Sequence, residues 1–174
     1  IVNSTPAEKI WKPQKLNTPV SAAGGDNAAL KPKTNPRGMP RESGDVVTKT
    51  LPCVALISTD KPRGSGFVLR LEGRHFLVTN FHVLEDGGDW EAVTVRGDTI
   101  PISGNTVQVA ADRDLVRIPL LSDANYPFLL PAEDPVQIWD NIVVLGDSQG
   151  QGAVTGLEGK VLAVGPDRFE IDAP

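Results

Sequence analysis

GSGFVLRLEGRHFLVTNFHVLED, residues 64–86, is the stretch whose reading decides the fold. Phe67 to Leu71 is rich in apolar and β-favouring residues and reads as a strand. Glu72-Gly73-Arg74 supplies the turn residues, and His75 to Thr79 reads as the returning strand of a hairpin. His82 follows at once, inside Thr79-Asn80-Phe81-His82-Val83. A histidine at the end of a hairpin is held in one place, as a general base must be.

The same texture extends outward from this hairpin. From Val46 on, short apolar segments alternate with Gly, Asp and Pro turns: Val46-Val47, Cys53 to Ile57, Val93 to Val95, Thr106 to Ala110, Leu115 to Leu120, Ile142 to Leu145, Gly159 to Val164 and Phe169 to Ile171. Many short strands at close spacing predict an all-β barrel or sandwich. No long stretch carries a 3.6-residue apolar period, although His82 to Glu85 has room for one helical turn. Upstream, residues 1–45 have a different character. Pro6, Pro13, Pro19, Pro32, Pro36 and Pro40 recur without apolar period, which predicts an extended Pro-rich arm with Ile10-Trp11 as its anchor.

Composition narrows the function classes. Hydrophobic content of 40% beside 22% charged residues is the balance of a soluble globular domain, and no apolar run approaches the length of a membrane span. The net charge of −5, with basic residues spread along the chain, argues against a nucleic-acid partner. A single cysteine, Cys53, rules out an internal disulfide and any paired-cysteine metal site, and no residue pattern calls for a cofactor. The first residue is Ile1 rather than Met, so a processed or trimmed product is expected.

The second chemical element is Ala111-Asp112-Arg113-Asp114-Leu115-Val116, an acidic turn feeding a strand. A carboxylate at a strand entrance can accept an imidazole N–H, fix the ring and stabilise the imidazolium. Asp114, next to the strand, is the better placed; Asp112 serves if the turn is longer. The commoner fate of turn aspartates is simply to shape a loop.

Gly64-Ser65-Gly66-Phe67-Val68, then Thr79-Asn80-Phe81-His82-Val83, then Asp114-Leu115-Val116 resembles the trypsin-like serine peptidases, and within them the disulfide-free bacterial branch related to HtrA-type proteases. The resemblance covers roughly Val46 to Pro174. It implies a trypsin-like double β-barrel, with His82 as general base and Asp114 as its orienting partner. It places the first barrel at residues 46–121 and the crossing linker with the first strands of a second, incomplete barrel at 122–174. An extended polypeptide substrate and an extracytoplasmic setting are implied with it. Phe81, where a small residue is frequent, and Arg117, where an aliphatic residue is common, depart from the pattern without touching a catalytic atom. Ile1-Val2 does not fit the freed amino terminus of an activated trypsin-like enzyme, because Asn3 stands where glycine is expected and the arm separates it from His82.

The nucleophile needs separate treatment. Gly146-Asp147-Ser148-Gln149-Gly150 resembles the serine motif of the trypsin-like enzymes, but it comes too soon after Asp114 for the family's strand order. Ser148 is therefore expected on a turn of the second barrel, beyond reach of His82. The implied nucleophile motif lies after Pro174, so this chain alone is expected to be inactive, with unsatisfied strand edges that favour self-association or a complementing fragment. Two alternatives stand beside this reading. One is a protease-like domain that binds extended peptides without cleaving them. The other is a GDSL-type esterase using Ser148, against which stands the absence of histidine from the residues after it.

Overall fold

The computed structural model describes residues 43–58, 62–85, 89–103, 106–121, 126–147 and 151–173. The arm from Ile1, its anchor Trp11 and the hydroxyl of Ser148 fall outside the described residues.

Nine strands form two antiparallel sheets among those residues. Strands β1 (Val54–Ser58), β2 (Pro62–Leu71), β3 (Arg74–Thr79), β4 (Glu91–Thr94), β5 (Gln108–Val109) and β6 (Val116–Pro119) make the first sheet, in the order β4-β1-β2-β3-β6-β5. Strands β7 (Asn141–Gly146), β8 (Thr155–Val164) and β9 (Phe169–Ile171) make the second, in chain order. The fold is all-β and trypsin-like. The expected hairpin is present, its two-residue turn closed by Glu72 and Gly73 at φ 49° and 78°. Glycine adopts that left-handed backbone without a Cβ penalty.

Pairing follows the alternation of the sequence. Across the first sheet Ala92 stands opposite Ile57, Ala55 opposite Gly66, Val68 opposite Leu77 and Leu77 opposite Ile118. Directly opposed residues share a face, so these side chains form one buried cluster, joined by Ile100 and by Val83 from the turn after β3. Among the described residues no continuous ladder closes this sheet into a ring. Residues 99–103 link its two sides through isolated bridges instead, Val93 with Thr99 and Ile102 with Leu120. Ser103 N–H donating to Pro119 O at 2.9 Å and Ile100 N–H donating to Ala92 O at 2.8 Å hold that link.

The connection to the second sheet lies against the first. Leu129 exchanges hydrogen bonds with Val68 and Arg70 of β2, both at 2.9 Å, and the Tyr126 hydroxyl donates to Thr99 O at 3.1 Å. In the second sheet Val144 opposes Leu157, Val161 opposes Ile171 and Val164 opposes Phe169, giving one apolar face. Val161 is fully buried there, yet Val144, Val164, Phe169 and Ile171 stay 36–49% exposed.

Two local readings are corrected. Val46-Val47, expected to be a strand, lies in helix α1 (Ser43–Thr50), which also takes Ser43 to Asp45 out of the expected arm. In the helix Lys49 pairs with Asp45 at 2.7 Å, a small gain from i, i+4 spacing, and Val47 is placed beside the second sheet, its Cγ2 3.9 Å from a Cβ built on Gly156. Strand β8 begins at Thr155 rather than Gly159, because Thr155 to Glu158 pair with Gly146 to Val143 of β7. The lone cysteine, Cys53, closes a 3₁₀ turn (Leu51–Cys53) before β1 and is buried, which pushes its thiol pKa up.

Candidate functional site

His82 sits in a single helical turn, α2 (Phe81–Leu84), which starts directly after β3. Its neighbour Val83 is buried in the core, so the turn cannot rotate without exposing that side chain. Gly64 in β2 makes room for it, since a Cβ there would stand 3.0 Å from Val83 Cγ2. Asp114 lies in the turn before β6, and β6 pairs with β3 at Thr79–Val116. That register brings the end of the Asp114 turn beside the start of α2.

The two residues meet at two points. Asp114 Oδ2 lies 2.5 Å from His82 Nδ1, and Asp114 Oδ1 accepts the backbone N–H of His82 at 2.9 Å. Asp112 is exposed and makes no hydrogen bond to His82. The carboxyl of Asp114 is held below its ordinary value of 3.8, first by the His82 backbone N–H and then by the imidazole bond. An ionised carboxylate can only accept, so Nδ1 is the donor in this contact, and in the neutral ring the lone pair lies on Nε2. Nε2 makes no hydrogen bond among the described residues, and the side chain is 64% exposed. This geometry can take a proton from a group brought to Nε2 and stabilise the imidazolium that results.

Ser65 and Arg113 flank this pair and tie it to the second sheet. Ser65 Oγ accepts the backbone N–H of Asp147 at 3.1 Å, while Ser65 O accepts the Thr79 hydroxyl at 2.9 Å. Arg113 donates to Asp167 Oδ1 at 3.1 Å and to Asp167 O at 3.2 Å, in the turn between β8 and β9. Asp147 closes its own loop, its carboxylate accepting Gln151 N–H at 2.9 Å and Gly152 N–H at 2.7 Å. Sequence reasoning assigned no role to Ser65, Arg113 or Asn80. Asn80 carried the one signal that was open to view, as a favoured cap residue just before a helical turn.

Among the described residues there is no group of three His, Cys, Asp or Glu able to hold a metal ion, and no helix is long and apolar enough to cross a membrane. No curated protein matches the sequence. A family model described as the trypsin-like peptidase domain matches residues 64–174, the part of the chain that contains the hairpin, the histidine, the aspartate and the second sheet. The chain belongs to the trypsin-like peptidase domain family.

Proposed function

We propose that this chain is the greater part of a serine endopeptidase domain in which His82 is the general base and Asp114 orients it. The observation that carries the reading is the two-point contact of Asp114 with the imidazole and backbone of His82. In the proposed mechanism a serine hydroxyl attacks the scissile carbonyl, Nε2 of His82 takes its proton and returns it to the leaving amine, and Asp114 stabilises the imidazolium in between.

The nucleophile in this reading comes from residues following Pro174. No serine among the described residues hydrogen-bonds to His82. The half-exposed apolar face of the second sheet supports the same view, since further strands laid on it would complete a barrel core. The lone cysteine and the motifs at Gly64–Val68, Thr79–Val83 and Asp114–Val116 taken together support the HtrA-type branch in this reading, with Phe81 a departure from it. The strictly antiparallel pairing of β7, β8 and β9 speaks against the esterase alternative, which needs an α/β sheet.

Labelling of the full-length protein with a fluorophosphonate tests the reading. One serine beyond Pro174 should react, and His82→Ala should slow the reaction by roughly 10³-fold or more. Ser148→Ala should leave the rate unchanged. Reaction at Ser148, or labelling indifferent to His82, overturns the proposal; a protein that binds extended peptides but never labels is the non-catalytic alternative.

A further inference from the structure

Asn80 departs from the local rule for its position. It is the residue that precedes α2, in the extended conformation of an N-cap (φ −75°, ψ 147°). Asparagine there ordinarily accepts a backbone N–H of the first turn through its side-chain oxygen. Asn80 makes no such bond. Its carboxamide reaches across the sheet, Nδ2 donating to the backbone carbonyl of Asp114 at 2.8 Å and more weakly to Asp114 Oδ2 at 3.4 Å. The N–H that an asparagine cap would have taken, that of His82, goes to Asp114 Oδ1. The two residues thus exchange partners: Asp114 satisfies the helical turn that Asn80 opens, and Asn80 satisfies the backbone of Asp114.

We propose that Asn80 is a positioning residue for the His82–Asp114 pair, giving up the cap of its own helical turn to hold the Asp114 backbone so that the carboxylate faces Nδ1. The catalytic side of this inference rests on the endopeptidase reading; the geometric side does not. The two side chains are 64% and 48% exposed, so their own packing does not fix the contact; buried Val83 holds the His82 turn and Arg113 ties the Asp114 turn to Asp167, and the Asn80 donor on the Asp114 carbonyl adds the restraint that links the two turns directly.

Asn80→Ser and Asn80→Ala separate positioning from capping. Serine is as good a cap as asparagine but too short to reach the Asp114 carbonyl, whereas alanine does neither. In the full-length protein, imidazole ¹⁵N shifts should show His82 protonated at Nδ1, and both variants should move it toward the Nε2–H tautomer. With casein as substrate, kcat should fall about tenfold, the scale of one lost hydrogen bond, while KM stays unchanged. Thermal stability should drop in both variants, which lose the bond to the Asp114 carbonyl, and less in the serine variant, whose hydroxyl can cap α2. An Asn80→Ser protein with the wild-type tautomer and kcat overturns the inference and leaves Asn80 a cap. A wild-type protein that shows the Nδ1–H tautomer and its loss in the variants, yet cleaves no casein, supports the positioning role and removes the endopeptidase reading instead.

Discussion

Ser65 Oγ in β2 accepts the backbone N–H of Asp147 at the end of β7, and a Cβ placed on Gly146 would stand 3.0 Å from that same oxygen. This hydroxyl therefore joins the first sheet to the second, beside the Arg113–Asp167 pair, and leaves little room for a side chain on Gly146. Ser65→Ala should cost about 1 kcal/mol by leaving the Asp147 N–H without its partner. Gly146→Ala should be destabilising in the wild type and less so beside Ser65→Ala, where the crowded oxygen is gone. Urea unfolding of the two single variants and the double variant gives the coupling; strict additivity would refute the shared contact.

Gly66 in β2 has no room for a side chain against β3. A Cβ there would lie 2.5 Å from Val78 O, with Thr79 Cβ and Leu77 Cδ1 also within 3.3 Å. Backbone cannot retreat as a side-chain tip can, so Gly66→Ala should destabilise by about 3 kcal/mol or more, the upper end for overpacking. Gly44, in α1, has nothing within 4 Å of the same added atom. Gly44→Ala should stabilise by up to about 1 kcal/mol through helix propensity, measured by the same unfolding curves.

Asp114 predicts a pH dependence with a definite sign. Its folded-state pKa is depressed by the His82 backbone N–H and imidazole, so its contribution to stability is complete above the ordinary carboxyl value of 3.8. It is lost as pH falls through the lower folded value. The stability difference between wild type and Asp114→Asn should accordingly shrink as pH falls below the ordinary carboxylate range. A difference that grows as pH falls below that range would contradict the assigned direction.

The second sheet leaves Val144, Val164, Phe169 and Ile171 partly open on one face. A contiguous apolar patch of this kind promotes association. Sedimentation velocity of the chain should show concentration-dependent self-association, reduced by Phe169→Glu. A monomer at every concentration would mean that this face is already covered.

The hairpin, the helical turn at His82 and the strand at Phe169 were legible because each depends on neighbouring residues, although β2 starts at Pro62 rather than Phe67, Arg74 pairs in β3 rather than turning, and α2 starts at Phe81 rather than His82. Helix α1 was not, since Val46-Val47 favours strands in isolation, and the Asp45–Lys49 pair and the placing of Val47 beside Gly156 show only once the chain is folded. The start of β8 was hidden for a related reason, as Gly156 and Gly159 interrupt the β-favouring residues there and the segment joins because β7 offers it partners. At the site, the types of His82 and Asp114 and their setting could be read. The exchange of partners between Asn80 and Asp114 could not, because it spans residues far apart in sequence and a cap preference points the other way.

Cys53 closes the 3₁₀ turn before β1, is 3% exposed, and has its thiol pKa raised by burial. Thiol reagents attack the thiolate, so both access and ionisation shield it while the first sheet is intact. As the chain has one cysteine, every labelling event reports on one place. The rate at which a disulfide reagent such as DTNB modifies the native protein is then a clock for opening of the strand that anchors the first sheet, readable without any probe being introduced.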